Sequence, residues 1–147
     1  MASRRDHLRK SVAAAWLVAY LAILFGLTLG LFSSPGAPMN LVPFRTMAHD
    51  FGVGGREFVV NFLGNLAAWM PLGILLPTLL GARCSILRVA LLGLALSLLI
   101  EVLQGFSGRR VADVDDLILN TIGAVMGYAG WTGLRRSRSR PSGGQKA

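Results

Sequence analysis

From Val12 to Phe32 the chain carries no charged side chain for 21 residues, the length an α-helix needs to cross a hydrocarbon core roughly 30 Å thick. Runs over about 58–80, 86–106 and 114–134 have the same apolar character. In lipid, every backbone N–H and C=O must find its partner within the protein, so runs of this length fold as helices rather than as open strands. The expectation is an all-α, polytopic membrane protein with four transmembrane helices, spanning about 12–32, 58–80, 86–106 and 114–134.

The remaining residues fit that frame. Only 15% of residues are charged, with a formal net charge of +8, and the positive charge sits at the edges of the apolar runs. Arg4, Arg5, Arg9 and Lys10 precede the first run, Arg83 and Arg88 lie between the second and third, and Arg135, Arg136, Arg138, Arg140 and Lys146 follow the last. Basic residues so placed set orientation and meet anionic lipid heads. Without interleaved aromatic residues or a recognition motif, the charge does not point to nucleic acid. The positive-inside rule gives both termini and the 81–88 turn a cytoplasmic location. The chain then divides into a basic cytoplasmic arm (1–10), a membrane domain (11–134) and a disordered basic tail (135–147), whose Arg, Ser and Gly have nothing to bury. Cys84 is the only cysteine, which excludes an intrachain disulfide, and His49 stands alone, so neither a metal site nor a cofactor is expected.

Polar residues inside the apolar runs are costly and by default functional. Asn61 and Asn65 are four apart near the start of the second run and are expected on one helix face. Glu101 and Gln104 share a face near the end of the third, with Ser97 one turn before Glu101. Asp113, Asp116 and Asn120 form a stripe at the start of the fourth, continued by Gly123 and Gly127 as a close-packing surface, while Asp115 points elsewhere. With the orientation above, all three clusters fall at one depth on the outer side, with Arg109 and Arg110 just above them. An outward-facing polar pocket between the second, third and fourth helices is therefore expected. The plainer alternative assigns Asp113 and Asp116 to capping a helix N-terminus and the carboxamides to joining helices. Gly26 and Gly30 predict a second close helix approach in the first span. In the 33–57 loop, Phe44, Met47, Ala48 and Phe51 would fall on one face of a short interfacial helix, with an irregular loop carrying scattered apolar residues as the alternative.

Asn40-Leu-Val-Pro-Phe44, Asn61-Phe-Leu-Gly-Asn65 with Pro71-Leu-Gly73, Glu101-Val-Leu-Gln104, and Arg110 followed by Asp116-Leu-Ile-Leu-Asn120-Thr-Ile-Gly123 and Gly127 resemble the VanZ-like family of bacterial membrane proteins over about residues 38–130. On this match Arg110 occupies the family's arginine position and Asp116 its aspartate. The resemblance implies a multi-pass protein of the bacterial plasma membrane with a cell-envelope role, linked through the family's namesake to low-level resistance to teicoplanin-type glycopeptides. It supplies no catalytic residues.

The leading expectation is a pocket formed by Asn61, Asn65, Glu101, Gln104, Arg110, Asp113, Asp116 and Asn120. It would bind an anionic amphiphile: a lipid-linked wall precursor, a phospholipid head or a lipoglycopeptide. Three other readings compete with it. One is an intramembrane enzyme using Glu101 and Asp116 as acid and base; the second is a small proton-coupled transporter; the third is a purely structural partner protein.

Overall fold

In a computed structural model of the chain, residues 2–30, 40–106 and 113–139 are described. They form six α-helices: α1 (Ala2–Gly30), α2 (Arg45–Val53), α3 (Gly55–Phe58), α4 (Gly64–Leu80), α5 (Ile86–Phe106) and α6 (Val114–Ser139). A π-helical turn, Val59–Leu63, joins α3 to α4, and a 3-10 turn, Gly81–Arg83, leads towards α5. Among the described residues the only extended pairing is an isolated parallel bridge between Asn40 and Asp113.

Among the described residues, three helical stretches are long and apolar enough to cross a membrane: Ser3–Thr28, Val59–Arg83 and Ile86–Phe106. The fourth expected span, α6, is 26 residues long, about 39 Å at 1.5 Å per residue. No charge interrupts it from Leu117 to Leu134. Its acidic first turn, its glycines and its basic end make it less apolar than the other three.

The helices are held together around Trp69, Leu72 and Leu76 of α4, Leu24 of α1, Val89 and Ile100 of α5, and Ala124 of α6. Trp69 is 2% exposed and Val89 and Ala124 are fully buried. The tightest seam runs between α4 and α6. A Cβ on Gly73 would strike the Ala124 carbonyl oxygen, one on Gly123 the Leu66 carbonyl oxygen, and one on Gly127 the Met70 carbonyl oxygen. The two backbones touch there, and only glycine leaves room. The close approach expected at Gly26 does not occur, because that position faces open space. Contact between α1 and the bundle is made by larger groups: the Tyr20 hydroxyl donates to the Ala68 carbonyl at 2.8 Å.

Two boundaries differ from the sequence reading. The basic residues of the first ten are already helical, since α1 begins at Ala2. Nor does α6 stop at Leu134. It runs to Ser139, with the Ser137 hydroxyl donating to the Gly133 carbonyl at 3.1 Å and the Arg135 guanidinium 5.0 Å from the Trp131 ring centre. Arginine is a good helix former and a cation suits a helix C-terminus, so composition alone misplaced the end. Residues 140–147 lie outside the described residues.

Candidate functional site: a polar end of the bundle

The polar cluster lies where α4 and α6 begin and α5 ends. Glu101, Gln104, Asp113, Asp115, Asp116 and Asn120 are all buried, with no more than 9% exposed. Two bonds fix the antiparallel register of α5 and α6. The Asn120 carboxamide donates to the Ser97 hydroxyl at 2.8 Å, and the Asp113 backbone N–H donates to Glu101 Oε2 at 3.2 Å. In that register Ser97 pairs with Asn120, and one turn nearer the bundle end Glu101 and Asp116 occupy the adjoining level. Asn65 of α4 closes the third side, donating to Asp116 Oδ1 at 2.8 Å. Glu101, Asp113, Asp116, Asn65 and Asn120 are thus brought to one end, as their spacing predicts.

Asn61 and Gln104 are placed differently. Asn61 is exposed and donates to Asp50 Oδ2 of α2 at 2.6 Å. The i, i+4 rule assumes α-helical winding, and the π turn over Val59–Leu63 winds less per residue, so Asn61 and Asn65 leave the helix in different directions. Gln104 is buried but turned towards α1, where its Nε2 donates to the Thr28 carbonyl at 2.8 Å. Arg109 and Arg110, expected to cap the pocket, lie outside the described residues.

Sequence reasoning missed a second layer. Asn40 donates to Asp113 Oδ1 at 2.9 Å and to the Thr46 hydroxyl at 3.0 Å, while its own Oδ1 accepts the Val42 N–H at 3.1 Å. The Thr46 hydroxyl in turn donates to Asp113 Oδ2 at 2.7 Å. Asp113 Oδ1 also accepts the Asp115 N–H at 2.9 Å, which makes Asp113 the cap of α6. Asp115 does point away from the Asp113–Asp116–Asn120 stripe, yet it is 1% exposed. Its carboxylate accepts the backbone N–H groups of Phe44 at 2.5 Å, Thr46 at 2.8 Å and Met47 at 3.2 Å. Those are the free amides at the start of α2, whose own N-cap position, Phe44, has no side-chain acceptor and adopts a left-handed φ of 66°. The sequence does hold a signal for this. A helix opening on Pro43-Phe44 has no capping side chain of its own, so its free amides need an acceptor from elsewhere in the chain or from solvent.

The chemistry thus separates into two parts. Asp113 and Asp115, with Asn40 and Thr46, fasten α2 and the preceding segment onto α6. Beneath them, Glu101, Asp116, Asn65, Ser97 and Asn120 form a smaller group between α4, α5 and α6. Asn120, 8% exposed, keeps a buried Oδ1 with no hydrogen-bond partner among the described residues. An apolar groove of about 350 Å³ lies elsewhere, between α1 and α4, lined by Trp16, Tyr20, Ile23, Pro71 and Ile74. His49 is 72% exposed and stands 3.5 Å from its neighbour Asp50, so it takes no part in the cluster.

No curated protein and no solved structure matches the chain. The family model described as VanZ/LLP1 matches residues 17–135, a stretch that includes both parts of the polar end and the glycine seam beneath it. This membrane protein belongs to the VanZ/LLP1 family.

Proposed function

We propose that the chain is a four-span protein of the bacterial plasma membrane, with both termini in the cytoplasm, that binds an anionic amphiphile at an outward-facing polar end. The ligand class is a lipid-linked wall precursor, a phospholipid head or a lipoglycopeptide. Capture of such a molecule at the outer surface would account for a link to glycopeptide resistance. The observation that carries this reading is the gathering of Asn65, Glu101, Asp116 and Asn120 from three helices at one end of an otherwise apolar bundle, where burial of polar groups is costly. Arg110 is three residues from Asp113 in the chain. A guanidinium near these carboxylates would be held for an incoming phosphate or carboxylate. Binding is favoured over hydrolysis by a Ser–His pair, because Ser97 is buried and bonds to Asn120 whereas His49 is exposed and stands beside Asp50.

The test compares lipids and wall precursors co-purifying with the wild type and with Arg110→Ala, by native mass spectrometry in mild detergent. An anionic amphiphile retained by the wild type should drop about tenfold or more in the variant, as for loss of a charge-assisted bond of about 1.5–3 kcal/mol. Identical lipid profiles would remove the proposal.

Orientation has its own test in Cys84, which the proposal assigns to a cytoplasmic turn. A membrane-impermeant maleimide should label it in inside-out vesicles and leave it unlabelled in intact cells; the reverse pattern would invert the topology. Partial burial raises the thiol above its ordinary pKa, with the nearby Arg88 guanidinium opposing the shift. The thiolate is the reactive form, so labelling should be slow at neutral pH and keep accelerating beyond the pH at which an ordinary cysteine levels off.

A further inference from the structure

The Ser97–Asn120 pair carries more information than a helix–helix bond. Ser97 is 1% exposed and Asn120 8% exposed, and their single bond uses one half of the Asn120 carboxamide. The other half, Oδ1, is buried and has no partner among the described residues. Turning the amide over does not remove the difficulty, since Ser97 would then bond the oxygen and leave the NH2 without an acceptor. One chemical group answers both orientations: a hydroxyl, which donates and accepts. The pair also lies one helical turn below Glu101 and Asp116, at the inner edge of the binding end.

We propose that Ser97 and Asn120 bind a hydroxyl group from outside the chain, so that the site selects an anionic amphiphile whose head carries a hydroxyl beside its phosphate. The inference rests on the binding reading above and narrows its ligand class. Two sources share this chemistry, a head-group hydroxyl and a water molecule, and only the first produces selectivity between lipids. A site built to hydrogen-bond a hydroxyl discriminates against an analogue lacking it, because the buried polar group is then left unpaired.

Phosphatidylglycerol and phosphatidylethanol with the same acyl chains carry the same charge, and only the former has head-group hydroxyls. In phosphatidylcholine nanodiscs doped with an equal mixture of the two, native mass spectrometry of the full-length protein should show phosphatidylglycerol retained about tenfold over phosphatidylethanol. Asn120→Leu should lose the preference and retain the two lipids equally. Ser97→Ala, which frees the carboxamide to turn, should also lower the ratio, and it serves in place of Asn120→Leu should that variant not fold. Equal retention of both lipids by the wild type would overturn the inference and assign the hydroxyl to water. Undiminished selectivity in Asn120→Leu, or in Ser97→Ala where that variant stands in, would overturn it as well. Retention of neither lipid above phosphatidylcholine would instead bring down the anion-binding reading, and the inference with it.

Discussion

Gly127→Ala should destabilise the protein, whereas Gly130→Ala, three residues further along the same helix, should stabilise it slightly. Both changes add one methyl group to α6, and both gain the helix propensity of alanine over glycine, about 1 kcal/mol. They differ in what the methyl meets. At Gly130 there is open space, while at Gly127 the new Cβ would clash with the Met70 carbonyl oxygen. Backbone cannot turn aside as a flexible side chain can, so α4 and α6 must separate along the seam that also includes Gly73 and Gly123. Overpacking of this kind costs about 1–3 kcal/mol, and more where backbone must move. At the upper end of that range, less the propensity gain, Gly127→Ala should lose about 2 kcal/mol. Thermal unfolding in detergent, followed by size-exclusion fluorescence, gives the order of the two variants relative to the wild type. Equal stability of the two would mean that α4 and α6 are not in backbone contact.

The same seam shows what one-dimensional patterns convey. Gly123 and Gly127 could be read from the sequence because they continue the Asp116–Asn120 stripe, and a helix face is a local property. Gly26 and Gly30 have the same spacing, but Gly26 meets nothing. Spacing identifies a smooth surface and not the partner that covers it. The convergence of Asn65, Glu101, Asp116 and Asn120 was also legible, since span direction and position along each helix together fix a residue's depth. Asn61 was lost from that group because a π turn intervenes between two positions that would otherwise share a face. The fastening of α2 was missed for another reason. Asn40 and Asp113 are 73 residues apart in the chain, as Phe44 and Asp115 are 71, and no periodicity spans such separations. What the sequence does contain is an uncapped helix start and a surplus carboxylate, two local imbalances that resolve each other only in three dimensions.

That fastening carries the other large expected effect. Asp115→Ala should release α2 while leaving the bundle beneath it folded. The carboxylate accepts three backbone amides, from Phe44, Thr46 and Met47, and a hydrogen bond to a charged group is worth about 1.5–3 kcal/mol. The bonds share one acceptor and are not additive, so their joint loss is set at about 3–5 kcal/mol, enough to raise local opening of α2 by a hundredfold or more. Hydrogen exchange over residues 44–53 should accelerate by that factor. Exchange over 66–80 and 117–134, held by the α4–α6 seam, should stay close to wild type. Adding Phe44→Gly should recover about 1 kcal/mol, because glycine adopts the left-handed conformation of residue 44 without the cost a Cβ imposes. Asp115→Asn tests charge against shape: it keeps the volume but turns an NH2 towards backbone donors, so its effect should approach that of alanine. Uniform loss of protection across all helices would make Asp115 a support of the whole bundle, and unchanged exchange in α2 would mean that the helix is held by its apolar face alone. The selective outcome ties structure to binding. Asp115 and Asp113 then serve to hold α2 over the end of the bundle, leaving Asp116 as the buried carboxylate whose substitution should alter ligand retention without releasing that roof.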